Sequence, residues 1–332
     1  MGILGSKARH RVKAVALALA SGLLWSAQVA GATELYVTSE KDNRIYMFDT
    51  QGNRLGEIDV CERPRHMEFS RDGKTLYVCC GNSNELGVVD LRTRKMVGRM
   101  GLGDSPEIFG FSSDQGVIYV SIEEENVMAA YDMRSGKRLF SVPTAGEPEG
   151  VYVTPDNKLA YVTSEVGSLV HVVDLTARKV VKDIKVGKRP RRFVAVGQDE
   201  IWVSNELSSS VSVIDLKTQA VKETIVFKVP GMRASDIMPV GMVLAKDGKT
   251  VWVGLGRANH VAQVDVATRK VRQLVLAGKR AWGVDLDPTG KTMYVVNGLS
   301  DDMTVVDVSG DKAKAVRSVP AGRVPHSVLV SP

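Results

Sequence analysis

The 332-residue chain reads as all-β: a seven-bladed β-propeller of four-stranded antiparallel blades, and three features lead there. The stretch LYVTSEKDNRIYMFD, from Leu35 to Asp49, returns six more times, the last as MYVVNGLSDDMTVVD. The aromatic residue of each copy falls at Tyr36, Tyr77, Tyr119, Tyr161, Trp202, Trp252 and Tyr294, at intervals of 41, 42, 42, 41, 50 and 42. A fixed period in the low forties marks a propeller or a solenoid. Val, Ile, Tyr and Phe alternate with polar residues through each copy, the pattern of half-buried antiparallel sheet. A sandwich does not need seven equal periods and a parallel solenoid uses shorter ones, so radial blades fit best.

The first residues precede the fold. Lys7, Arg9, Arg11 and Lys13 make a basic start, and Ala14 to Trp25 is an apolar run too short to span a bilayer with margin. Ala30-Gly31-Ala32 then supplies the small residues a signal peptidase accepts. Residues 1–32 are therefore expected to be a cleaved signal peptide. Residues 33–332 are expected to be a single periplasmic propeller domain, monomeric and without membrane insertion. The balance of 44 basic and 38 acidic residues gives +6, and it falls to about +2 once four leader cations are removed. A basic pI of that origin does not point to nucleic acid.

Within the second copy, strands are expected at Leu76 to Cys79, Leu86 to Val89 and Met96 to Met100. Ile108 to Phe111, beyond Pro106, becomes the innermost strand of the next blade. SRDGKT, TPDNKL, AKDGKT and DPTGKT join inner strands to their neighbours, and Asp-Gly pairs supply the positive φ such hairpins need. Each copy ends on an Asp: Asp49, Asp90, Asp132, Asp174, Asp215, Asp265 or Asp307. Seven carboxylates in register read as caps on backbone N–H groups two residues on, rather than as metal ligands. The chain ends in PHSVLVSP, so Ser327 to Val330 is expected to complete the N-terminal blade, three strands plus one. The 50-residue interval places extra residues at 228–239, either a neutral insertion or a lid.

Variable, charged loops emerge together on one face. Aligned on Pro64, Pro106, Pro148, Pro190, Pro239, Ala281 and Pro325, the loops into the inner strands give a ring at the channel mouth. The candidate binding residues there are Arg63, Arg65, His66, Glu107, Glu149, Arg189, Arg191, Arg192, Arg280, Trp282 and His326. Guanidinium forks beside an indole could take a flat tricarboxylate. Mixed-sign charge also describes a solvated, self-compensating rim around a water-filled channel, which is the reading general surface statistics favour. Cys61, Cys79 and Cys80 allow a bridge from Cys61 to Cys79 or Cys80, no bridge, or a vicinal pair. His66 and His326 fall on adjacent inner strands, but no metal-ligand spacing accompanies them.

LYVTSEKDNRIYMFD, AYVTSEVGSLVHVVD and IWVSNELSSSVSVID closely resemble the YVTN-family β-propeller repeat. With the leader and the Cys of the second copy, the chain is most similar to periplasmic propellers associated with PQQ-dependent alcohol catabolism. That resemblance implies a non-enzymatic binding or docking accessory in the company of a quinoprotein dehydrogenase, a cytochrome or a transporter component. It leaves open a carrier of an anionic cofactor such as PQQ or haem d1. The rival is a lactonase-like hydrolase whose channel metal would recruit Glu149, Asn205, Glu206 and Asp236.

Overall fold

A computed structural model describes residues 1–2 and 33–331; the leader assigned to residues 1–32 lies almost wholly outside them. Twenty-eight strands, β1 to β28 in chain order, form seven four-stranded antiparallel sheets. The first unit shows why the pattern folds this way. β1 (Glu34–Ser39) buries Leu35, Tyr36 and Val37, and β2 (Arg44–Asp49) buries Ile45 to Phe48, so both faces of these middle strands meet neighbouring blades. β3 (Arg54–Asp59) alternates towards solvent and forms the outer edge.

Blade 2 runs β4 (Pro64–Phe69), β5 (Thr75–Cys80), β6 (Glu85–Asp90) and β7 (Lys95–Gly101) from the axis outwards. The next inner strand, β8 (Pro106–Phe111), pairs with the blade that follows, as the sequence implied. The other inner strands are β12 (Pro148–Val153), β16 (Pro190–Val196), β20 (Pro239–Leu244), β24 (Ala281–Leu286) and β28 (Pro325–Val330). β28 pairs antiparallel with β1 through Leu35↔Val330 and Val37↔Val328, which closes the ring three strands plus one.

Seven apolar clusters lie between successive blades rather than in one central core. The repeating aromatic sits in them: Tyr161, Trp202 and Tyr294 are fully buried, and Tyr77 alone is half-buried. All seven terminal Asp residues cap turns. Asp49, Asp174 and Asp307 accept a backbone N–H two residues on, whereas Asp90, Asp132, Asp215 and Asp265 accept one three residues on. The extra segment at 228–239 is anchored rather than lid-like: Phe227, Val229 and Ile237 are buried, and Ala234–Asp236 forms a 3₁₀ turn.

Candidate functional site

The loop into each inner strand is stitched to the hairpin of its own blade by a backbone bond that recurs around the ring. Arg63, Ser105, Glu147, Arg189, Met238, Arg280 and Val324 all adopt positive φ, between 53° and 63°. Their carbonyls accept the N–H groups of Gly81, Glu123, Glu165, Glu206, Gly256, Gly298 and Glu40 respectively. Two rings of side chains therefore converge on the axis, one from the inner-strand loops and one from the hairpins. The alignment on the prolines yields the first ring; of the second, Glu206 is singled out from sequence, as a candidate metal ligand. The second supplies Glu40, Glu165 and Glu206, which stand directly after TS, TS and SN in equivalent repeat positions. That recurring acid was the available signal. Where the hairpin residue is Gly81, a Cβ would lie 2.8 Å from Arg63 Nη1, so glycine leaves room for that guanidinium.

The charges at the mouth compensate one another as expected, but much of the cluster is buried rather than solvated, with Arg189 left 41% exposed. Glu107, Glu149, Glu165 and Glu206 are all buried, as is Arg191. Each carboxylate meets at least one guanidinium. Glu107 contacts Arg65 and, at 3.2 Å, Arg63. Glu40 lies 2.8 Å from Arg65 Nε. Glu149 Oε1 is 3.3 Å from Arg192 Nε and 3.7 Å from Arg191 Nη2. Arg191 also contacts Glu165 directly and reaches Glu206 at 3.6 Å, while Arg189 Nε stands 2.6 Å from Glu165 and 3.1 Å from Glu206. The physical reason is convergence: seven inner strands narrow the axis until charges from adjacent blades must either pair or be excluded.

Electrostatics keeps most of the cluster charged. Burial is the largest single influence on Glu149 and opposes its ionisation, yet Arg191, Arg192 and Arg65 together hold its carboxyl below the usual range. Burial, opposed by Arg191 and assisted by Glu149, pushes Glu165 up to about 7. Burial and the fields of Arg191 and Arg65 push Arg192 down to about 10 against the pull of Glu149, which leaves it cationic at neutral pH. His326 is driven well below the ordinary histidine range by burial and then by Arg65 and Arg192, so its ring is neutral. The Arg280 and Arg191 guanidiniums lie 4.2 and 5.1 Å from the Trp282 ring.

The remaining candidates separate. His66 sits within the channel, 3.1 Å from Glu68 and edge-on to Phe109 at 4.8 Å. Below the cluster the seven inner strands enclose a cavity of about 310 Å³. Cys61 and Cys80 form a disulfide, and Cys79 is a free buried thiol whose pKa burial pushes up to about 12. The lactonase set converges only in part, Glu149 and Glu206 meeting at Arg191. Asn205 bonds Ser210 and Ser212, Glu206 pairs with Arg189, and Asp236 lies 4.0 Å from Arg257. No three His, Cys, Asp or Glu side chains among the described residues are grouped to hold a metal ion.

Known proteins resemble this architecture at several levels. The uncharacterized protein YncE of Escherichia coli is 28% identical over 117 residues, which span 34% of this chain and 33% of that protein. The chain thus matches about a third of that relative's length. The structure of the Pseudomonas aeruginosa periplasmic gluconolactonase superposes with a TM-score of 0.76 at 18% identity, covering 90% of this chain and 99% of that one. The dihydro-heme d1 dehydrogenase NirN superposes with a TM-score of 0.67 at 14% identity, covering 89% and 74%. At these identities the two structures speak for the fold alone. The YNCE-like beta-propeller family profile matches residues 118–289, more than half of the sequence, and the chain belongs to that family.

Proposed function

We propose that this protein is a non-enzymatic periplasmic accessory that docks a protein partner on its loop face. The context suggested by the repeat is PQQ-dependent alcohol oxidation, with a quinoprotein dehydrogenase, its cytochrome or a transporter component as partner. One observation carries the reading: the inward carboxylates that a channel hydrolase would need are committed to guanidiniums. The outer surface of the loops is free for a partner.

That surface is built unevenly. Equivalent hairpin-tip positions carry Lys41, Asn82, Glu124, Val166, Leu207, Arg257 and Leu299. Val166, Leu207 and Leu299 expose 69%, 45% and 63% of their area, a large apolar display for loop tips. Lys188 and Lys279 stand exposed beside Leu207 and Leu299, whereas Glu147 stands exposed beside Val166, with Glu124 and Glu125 on the preceding blade. Aliphatic tips set among exposed charges of both signs suit a protein surface better than a small substrate.

The test is a pull-down with the mature protein from periplasm of alcohol-grown cells, with the Val166→Asp/Leu207→Asp variant as control. Recovery of a dehydrogenase, cytochrome or transporter component, lost in the variant, supports docking. Failure to recover any of these overturns it. A carrier role for PQQ would draw on Arg280 and Trp282 at the cluster edge. A flat fluorescence titration of the mature protein with PQQ removes that role.

A further inference from the structure

We infer that the channel cavity beneath the charged cluster is a binding site for a small aromatic monocarboxylate bearing a hydroxyl at its far end. The site is separate from the loop face and does not depend on docking there. Its volume of about 310 Å³ reaches the lower end of pockets that hold small organic molecules.

The roof offers only donors. Arg192 lines the cavity; its Nε faces Glu149 and its Nη2 lies 3.2 Å from His326 Nε2. Nη1 makes no hydrogen bond among the described residues. A guanidinium can only donate, so His326 Nε2 accepts and its Nδ1–H donates to Ser327 Oγ at 3.0 Å. Trp282 also lines the cavity with its ring, but its indole N–H is fully buried, so Arg192 supplies the donor at the roof. Six carboxylates of the mouth, Glu40 and Glu123 included, face six guanidiniums, Arg280 included, so the attraction for an anion rests on the free donor of Arg192 rather than on net charge.

The walls and floor differ from the roof. His66 packs against Phe109, and Tyr152 lies 6.5 Å from Phe193, giving an aromatic belt around the waist. Glu68, Tyr152 and Asp285 lie two residues further along their inner strands than the level of Arg192, about 7 Å deeper at strand spacing. Asp285 accepts the Val330 and Leu286 N–H groups at 2.8 Å each. One anionic group is therefore welcome at the roof, an aromatic ring in the belt, and a hydroxyl at the floor. A second carboxylate would meet Glu68 and Asp285 and be repelled.

The probe is 4-hydroxybenzoate, whose carboxylate and hydroxyl stand at opposite ends of one ring. Calorimetric titration of the mature protein compares it with benzoate, terephthalate and 4-hydroxybenzamide. The expected order places 4-hydroxybenzoate first, with terephthalate and the amide about tenfold weaker or worse. Arg192→Gln is expected to lose about tenfold in 4-hydroxybenzoate affinity. Tyr152→Phe leaves the charged cluster untouched and is expected to bring 4-hydroxybenzoate and benzoate to near-equal affinity. No saturable binding up to about 10 mM, or equal affinity for acid and amide, overturns the proposal. So does a 4-hydroxybenzoate preference unchanged in Tyr152→Phe.

Discussion

Replacing Arg191 with Met tests whether the axis is held by paired charge. Arg191 is 5% exposed and touches Glu165, Glu149 and Glu206 as well as the Trp282 ring. Met fills similar space but leaves three buried carboxylates short of one cation. Breaking a buried pair from one side costs about 3–5 kcal/mol, because the remaining charge stays desolvated. Arg189 and Arg192 still reach these acids, which places the expectation near the lower figure. Unfolding entropy near 2.1 cal/mol/K per residue, over roughly 300 residues, converts that range to a fall in Tm of about 5–8 °C.

The pH dependence makes the prediction specific. Burial pushes Glu165 up, with Arg191 as the main opposing influence. A carboxyl whose folded pKa exceeds its unfolded value holds its proton more tightly in the native state. Its stabilising contribution is complete below the unfolded pKa and is lost as pH rises through the folded one. Without Arg191 that window extends higher, so the deficit of the variant should be nearly flat from about pH 5 to about pH 6.5 and grow from about pH 7 to about pH 9. Chemical denaturation of both proteins across that range measures it, and Arg191→Met/Glu165→Gln should recover more than half the loss at the upper end. A deficit below about 1 kcal/mol, or one flat with pH, would refute the argument.

Reduction of the Cys61–Cys80 bridge, which closes a loop of 19 residues, should cost about 3 kcal/mol and lower Tm by about 5 °C under dithiothreitol. Thiol titration provides a second check: Cys79 should be unreactive in the native protein and become the single reactive thiol when the oxidised chain is unfolded. Asp285, pushed up to about 6 by burial against two backbone N–H bonds, should contribute stability that is full near pH 4 and lost towards pH 6. The change should be of the order of 2–3 kcal/mol. Asp285→Asn should remove this component, and identical pH slopes in the two proteins would contradict it.

The scaffold was legible because its determinants are local. The Tyr-Val step, the terminal Asp and the turn residues each specify a strand or a bend within a few positions, and repetition multiplies the signal. The mouth was half legible. Aligning on the prolines brought Arg65, Glu107, Glu149 and Arg191 to one ring, and the structure does place them together. Their burial was not legible, since Glu165 and Arg191 stand 26 residues apart in different loops and meet only through backbone stitching. Surface statistics favoured a wet rim because they average over positions that do not converge. Asp285 went unnoticed for a related reason: in DLDPTG it reads as part of a turn, but its place on β24 puts it in the channel.

The inner strands solve the same steric problem in different ways around the axis, and that irregularity shapes the cavity. Two residues after the aligning proline, or its Ala281 counterpart, Gly150, Gly241 and Gly283 bring inner strands close together. A Cβ at Gly150 would lie 2.3 Å from the Arg191 carbonyl oxygen, and one at Gly241 would lie 2.2 Å from that of Trp282. The equivalent positions on β4 and β16 carry His66 and Arg192, whose side chains occupy the channel that the glycines leave open. A sevenfold scaffold with identical residues would enclose a symmetric and featureless bore. Setting Arg192 between the glycines of β12 and β20, with acids two residues further along β4 and β24, converts that bore into a cavity with a cationic roof and an acidic floor.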